Sequence, residues 1–365
     1  MSAPLRIGIL GAAAIAPNSI IGPAKLLPEI AVVHAVAARD APKAAEYAAK
    51  HDIPRVFPSY EELIADPDID AVYIALPNSL HHKYSLLAIA SGKHVLCEKP
   101  VASNADEAQE IAAALEKKNA ELAAAGKQPL QFYEAFHWRS HPVAHRLRAL
   151  IDEGRIGKLE HIEIKVFVPQ TWFSISTDIR FKYALAGGAM MDMGCYVVNS
   201  IRFATDDANI PVTVTRAIPT VLTELDEPQI DSEMEFDLEL DRPDGSKITA
   251  SAFFTYSAPD PGSEPPLHYM ILRGSKGTIT ANGYVLPFMG HSIVTEDKET
   301  GSSSTEVLGD EAKHTTYYYQ LIEFANAVKT GVKSNWIPDI HSAVNNMRII
   351  DAVYDKAGLK KRGSN

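Results

Sequence analysis

Cysteine is nearly absent: 365 residues hold only Cys97 and Cys195. Two thiols build neither a disulfide framework nor a cysteine metal cluster, so stability must come from a packed core, and this length can bury one. Positive charge is also short, with 35 Lys and Arg against 46 Asp and Glu and a formal net charge of -11. That argues against general nucleic-acid binding, which relies on neutralising phosphates, and against an anionic membrane surface as partner. It leaves room for one local basic pocket. Every apolar run is cut by Gly, Pro or a charged residue well short of a membrane span. The opening MSAPLRIGILG lacks the basic start and apolar core of a secretion signal. The expectation is a cytoplasmic protein. The thirteen histidines are scattered, and the adjacent His81 and His82 have no carboxylate at a metal-ligand spacing, so no metal is expected. The basic Lys360-Lys361-Arg362 reads as solvated.

What is present is an alternation of apolar runs and helical stretches over about the first 135 residues. Leu5–Leu10, Ala31–Ala38, Ala71–Leu76, His94–Cys97 and Leu130–Tyr133 read as strands. Ala41–His51, Lys83–Ser91 and Asn104–Asn119 read as helices, the last opened by Ser103 or Asn104 as cap. The strands are uniformly apolar, as expected when helices cover both sheet faces, which predicts a doubly wound parallel sheet of Rossmann type. After Pro142 the texture changes. A helix over Pro142–Glu153 is followed by the alternating strands Glu160–Val168 and Glu233–Leu240 and the strand-like Lys247–Phe254 and Tyr269–Leu272, with turn chemistry at Asp241–Gly245. Without helices between them, these strands predict an α+β unit with a large, mainly antiparallel open sheet, one face wet or in an interface. Thr300–Thr305 reads as a surface loop, and helices near Thr315–Thr330 and His341–Lys356 follow. The expected division is a dinucleotide-binding domain over 1–134 and a substrate and oligomerisation domain over 135–365, its last helices packing back toward the first.

The segment from Gly8 to Ala16 stands where a G-x-G-x-x-G/A phosphate turn belongs. Only Gly11 is kept; Ala13 and Ala16 take the second and third positions. The backbone at Gly11, Ala13, Ala14 and Ile15 is the expected pyrophosphate site, with a helix N-terminus behind it. Taken alone, the segment fits a packed strand–turn–helix with no ligand equally well. The second strand ends Ala37-Ala38-Arg39-Asp40. An acidic residue there serves the ribose 2′-hydroxyl of NAD, whereas an arginine accommodates a 2′-phosphate, so Arg39 predicts NADP rather than NAD. The plainer alternative is a surface arginine paired with Asp40.

Several segments carry a family resemblance: Leu76-Pro77-Asn78-Ser79-Leu80-His81-His82, Glu98-Lys99-Pro100, Glu134-Ala135-Phe136, Arg139-Ser140-His141-Pro142, and the run Ala186-Gly187-Gly188-Ala189-Met190-Met191-Asp192-Met193-Gly194-Cys195-Tyr196. As a set they resemble the glucose–fructose oxidoreductase / inositol dehydrogenase (Gfo/Idh/MocA) family, from about Leu5 to the C-terminal helices. The resemblance implies an active site between the two domains and homodimers or homotetramers packed through the open sheet. It places Pro77, Asn78 and His81 on the nicotinamide side and Glu98 and Lys99 close to nicotinamide and substrate, with Glu134 counted among the cofactor-binding residues. It also carries Trp172, Phe173, Arg180 and Tyr183 across the cofactor cleft, where Trp172 would contact substrate; the alternative for the aromatics is ordinary core. The last position of the Gly-Gly motif is Tyr196, where inositol-dehydrogenase-like members usually have His. That departure is similar to the branch of dimeric dihydrodiol dehydrogenases and NADP-dependent xylose dehydrogenases.

The chemistry agrees. Oxidising an alcohol needs a base for the hydroxyl proton and an acceptor for the hydride. Tyrosine, with an ordinary pKa near 10, becomes such a base beside a cation, so Lys99 and Tyr196 are the expected catalytic pair. Asp192 either orients substrate or Lys99, or caps its helix. The substrate class expected is a sugar or cyclic diol, for an aldose 1-dehydrogenase or trans-dihydrodiol dehydrogenase. The competing functions are a dinucleotide-binding transcriptional regulator without enzymatic activity and an NAD-dependent glycosidase of the same fold.

Overall fold

A computed structural model describes residues 3–172, 174, 177–206, 210–223, 227, 229–258 and 267–363. The chain divides into two compact units, one formed by residues 3–140 with Tyr317–Val344, the other by His141–Thr316 with Asn345–Gly363. No helix among the described residues is long and apolar enough to cross a membrane.

The first unit holds β1 (Leu5–Leu10), β2 (Ala31–Ala37), β3 (Arg55–Phe57), β4 (Ala71–Ile74), β5 (His94–Cys97) and β6 (Phe132–Glu134), all parallel, in the order β3-β2-β1-β4-β5-β6. This is the doubly wound order, in which ligands bind beyond the carboxyl ends of the strands where the order reverses, here between β1 and β4. The helices are α1 (Gly22–Leu26), α2 (Ala41–His51), α3 (Tyr60–Ala65), α4 (His81–Ala90) and α5 (Ala105–Ala124). Local chemistry starts them. Asp40 caps α2 by accepting from the Lys43 amide, and Ser59 caps α3 by accepting from that of Glu62. Asn104, not Ser103, caps α5 by accepting from the Glu107 amide at 3.0 Å, while the Glu107 carboxylate accepts from the Ser103 amide at 2.9 Å. A later helix, α8 (Thr316–Thr330), adds Leu321, Phe324 and Ala325 to the core built on Ile7, Ile9, Val36 and Leu96.

The second unit opens with α6 (Pro142–Asp152) and β7 (Leu159–Pro169). Then come α7 (Cys195–Ala204), β8 (Val212–Val221), β9 (Asp231–Asp241), β10 (Lys247–Ala258), β11 (His268–Gly274), β12 (Gly277–Asn282), β13 (Ser292–Asp297) and β14 (Ser303–Glu306); α9 (Ile340–Lys356) closes the chain. The eight strands form one sheet, β14-β13-β12-β11-β7-β10-β9-β8, antiparallel except for the β7–β10 pair. One face is apolar and buried, with Ile162, Ile164, Phe236, Phe254, Met270 and Leu272, and α7, every residue of which is buried, belongs to the same core. The opposite face carries Glu163, Lys165, Glu235, Asp237 and Glu239.

Two expectations are corrected. The Thr300–Thr305 stretch is not simply a loop, because Ser303–Glu306 pairs with β13 as the sheet's edge. The sequence reading also passed over β3, α3, β8, β12 and β13. Arg362, expected in water, is wholly buried.

Candidate active site

The turn after β1 needs glycine at one place. Gly11 has φ +106°, and a Cβ there would stand 2.7 Å from the Ala75 carbonyl oxygen. Its amide donates to Ala37 O at 2.8 Å, which ties the turn to β2. Ala13 is anchored by the Tyr47 hydroxyl, which donates to its carbonyl at 3.0 Å, while Ala14 and Ile15 are exposed at the rim. The helix beyond starts as a π-turn, Pro17–Ile21, before α1. At the end of β2, Asp40 is occupied as the α2 cap, and Arg39 is exposed with no ion pair among the described residues. The pairing of Arg39 with Asp40 is therefore not what forms. A close-approach turn with an unpaired guanidinium at the neighbouring strand end fits a dinucleotide carrying a 2′-phosphate.

Glu98 and Lys99 follow β5, and the Lys99–Pro100 peptide is cis. Glu98 is held from below by a residue that sequence reading missed. Tyr73 of β4, wholly buried, donates its hydroxyl hydrogen to Glu98 Oε1, and the Lys99 amide donates to Oε2 at 3.3 Å. Since the Tyr73 proton is committed, Ser19 in the π-turn donates to Tyr73 Oη, at 2.7 Å. Burial first, then the Glu98 carboxylate, pushes Tyr73 well above the ordinary tyrosine value, so it stays a donor. His81 is also wholly buried. Its Nδ1 lies 2.7 Å from Pro100 O and its Nε2 2.8 Å from Leu76 O, so the ring braces the two turns against each other. Glu134 does similar work, accepting from the Val101 amide at 2.8 Å. Pro77 and Asn78 form the half-buried turn between β4 and α4.

In the second unit, a π-turn over Met190–Gly194 carries Asp192 and runs into α7, where Tyr196 lies on the first turn, 7% exposed. Asp192 Oδ2 accepts from Arg180 Nε and from the Tyr256 hydroxyl, both at 2.7 Å, and the helical segment starts at Ala189 without a side-chain cap. Burial and then Asp192 push Tyr256 well above its ordinary value, so it too remains a donor. The motif glycines have separate duties. A Cβ on Gly187 would meet Arg180 O at 2.4 Å, one on Gly188 would meet Asp231 Oδ1 at 2.3 Å, and one on Gly194 would meet the Phe254 ring at 2.9 Å. Tyr256, Asp231 and Tyr73 gave no local signal, because their partners lie 25 to 131 residues away. Trp172 is half exposed; Phe173 lies outside the described residues. Tyr183 donates to Lys361 O at 3.0 Å. Cys97 and Cys195 are buried free thiols, and among the described residues no cluster of metal-ligating side chains gathers.

The fold and these residues define a dinucleotide-binding oxidoreductase with a second unit built on an open sheet. Residues 5–125 match the oxidoreductase family with NAD-binding Rossmann fold, and residues 144–280 match the GFO/IDH/MocA C-terminal domain. Over 97% of both chains the sequence is 31% identical to D-xylose 1-dehydrogenase (NADP(+)) 2 of Haloferax volcanii. It is 37% identical to trans-1,2-dihydrobenzene-1,2-diol dehydrogenase of Xenopus tropicalis over 46% of this chain and 47% of that one. The crystal structure of a 3-ketoreductase from Actinomadura kijaniata with NADP and TDP-benzene shares the fold, with a TM-score of 0.78 at 22% identity over 97% of this chain and 98% of that one. The chain belongs to the Gfo/Idh/MocA family of oxidoreductases.

Proposed function

We propose that this protein is an NADP-dependent dehydrogenase or reductase that acts on a CH–OH group of a sugar or cyclic diol. The observation that carries the reading is the near-full-length likeness to an NADP-dependent xylose dehydrogenase in a chain that keeps Lys99, Asp192 and Tyr196. Arg39, exposed and with no ion pair among the described residues, would hold the 2′-phosphate, and the Gly11 turn with the Ala13, Ala14 and Ile15 backbone would hold the pyrophosphate. When bound, the nicotinamide supplies the hydride acceptor.

The protein's own residues manage the proton. Tyr196 takes it from the substrate hydroxyl in oxidation and returns it to the developing alkoxide in reduction. The Lys99 ammonium stabilises the tyrosinate and polarises the substrate oxygen. Asp192, fixed by Arg180 and Tyr256, orients the substrate. Trp172 offers an apolar face to a sugar or arene ring.

The polar face of the open sheet serves, in this reading, as the contact with a second copy. Beside its charged rows the half-buried rings of Phe167 and Phe253 stand 5.9 Å apart as an apolar spot on that face. The compartment proposed is the cytoplasm.

The test is a panel of aldoses, anhydro-sugars and trans-dihydrodiols offered with NADP and followed by NADPH absorbance. Turnover on members of one class supports the reading. Absence of turnover on every member, with NAD found tightly bound to the purified protein, contradicts it.

A further inference from the structure

Arg362 stands in a basic run that composition assigns to solvent, yet its guanidinium is wholly buried against Asp231, itself wholly buried, at 2.8 Å. Its Nε donates to Gly187 O at 2.6 Å. Nη1 donates to Lys360 O and Nη2 to both Gln229 O and Asp231 Oδ1, each at 2.8 Å. The Tyr354 ring lies 4.2 Å from the guanidinium carbon and the Tyr183 ring 5.0 Å. Asp231 is used on both oxygens: Oδ1 also accepts from the Tyr354 hydroxyl at 3.0 Å, and Oδ2 accepts from the Met190 amide at 2.6 Å.

These contacts converge on the short segment from Gly187 to Asp192. Arg362 takes the Gly187 carbonyl, and Asp231 takes the Met190 amide. Between them Gly188 sits at φ +126°, where a Cβ would meet Asp231, Arg362 and Tyr354 within 2.3 to 2.8 Å. From the other side, the Gly188 amide donates to Arg180 O at 2.7 Å, and the Arg180 side chain holds Asp192. The segment is therefore gripped between the Arg362–Asp231 pair and Arg180. A buried ion pair adds little net stability compared with apolar packing of the same volume, but it fixes geometry, and a planar fork with several donors does so better than an ammonium.

We propose that Arg362 is a positioning residue for the reaction: through Asp231 and the two-glycine turn it sets the place of Asp192 and, one helical turn on, of Tyr196. The proposal rests on the assignment of Asp192 and Tyr196 to the active site. Arg362→Lys keeps a charge and loses the fork. It lowers kcat about ten- to a hundredfold, as a small misplacement of catalytic groups does, and leaves NADP affinity within about threefold, because the dinucleotide is held by the other unit.

The test is a cycle with Asp192→Asn, reading kcat, KM, NADP binding and Tm for each variant. If Arg362 acts through Asp192, the Arg362→Lys factor shrinks to less than about threefold in the Asp192→Asn background, since members of one unit are not additive. The same factor in both backgrounds, or an unchanged kcat in Arg362→Lys alone, overturns the proposal. Near-full turnover of Asp192→Asn by itself overturns the assignment of Asp192 and the proposal with it, and is told apart by that single variant. If Arg362→Lys does not fold, Arg362→Met combined with Asp231→Asn removes both charges together, leaves no lone buried ion, and is read in the same cycle.

Discussion

Tyr73 gives its hydroxyl hydrogen to Glu98, the residue that opens the Glu-Lys-Pro segment at the end of the neighbouring strand. With Ser19 donating to Tyr73, the segment after the phosphate turn is wired to the carboxylate expected beside the nicotinamide. Tyr73→Phe keeps the ring and removes the wire. A hydrogen bond to a charged group contributes about 1.5–3 kcal/mol, so kcat falls by about tenfold or more while the fold persists. Steady-state kinetics beside a thermal melt check this; an unchanged kcat means that Glu98 needs no such anchor.

Cofactor choice rests on Arg39. Losing one charge-assisted phosphate contact in Arg39→Ala weakens NADP binding by roughly tenfold or more and barely alters NAD binding. Fluorescence titration with both dinucleotides reads this directly. Equal losses for the two cofactors contradict the role.

His268 makes stability depend on pH. Its Nε2 accepts from the amides of Val285 at 2.9 Å and Leu286 at 3.3 Å, and burial lowers its pKa from 6.5 to about 4. Protonation turns that acceptor into a donor and breaks both bonds. Between those two values the unfolded chain binds the proton and the folded chain does not. The stabilisation is thus full above about pH 6.5 and is lost as pH falls toward 4. Burial lowers His141 and His94 to about 4 in the same way. Tm therefore drops between pH 7 and pH 5, and His268→Gln, which keeps an acceptor and does not titrate, flattens part of that slope. An identical slope in the variant rejects the assignment.

The sheet's polar face gives a fourth prediction. Phe253→Glu places a charge against the Phe167 ring on this face, so an assembly through it dissociates. Light scattering at micromolar concentration shows an oligomer for the parent chain and a monomer for the variant. A monomeric parent contradicts the proposed contact.

The strands of the first unit were legible because Leu5–Leu10, Ala71–Ile74 and His94–Cys97 are apolar on both faces, a pattern composition alone exposes. β3 was not, because three residues with an exposed Val56 carry no period. β8 includes Pro219 and buries no residue fully, and β14 is Ser- and Thr-rich and almost wholly exposed, so both look like loop in one dimension. At the site, Gly11 and Arg39 came from motif spacing, and Glu98, Lys99, Asp192 and Tyr196 from the resemblance to the Gfo/Idh/MocA family. Their supports did not: Tyr73 reads as one more apolar strand residue, Tyr256 meets Asp192 across 64 positions, and Arg362 meets Asp231 across 131. Contacts at that range are set by packing and leave no trace in local pattern.

The central claim is that Tyr196 carries the proton and Lys99 tunes it, and the most direct measurement is the pH dependence of kcat for Tyr196→Phe on the best substrate of the panel. Phenylalanine keeps the packing and removes the acid–base group, so kcat falls about 10²–10⁴-fold and the limb belonging to tyrosine disappears while NADP affinity holds. Lys99→Met loses a comparable factor, and the double variant loses far less than the product of the two. Near-full turnover in Tyr196→Phe, with the pH profile intact, would contradict the mechanism and make Tyr196 a packing residue.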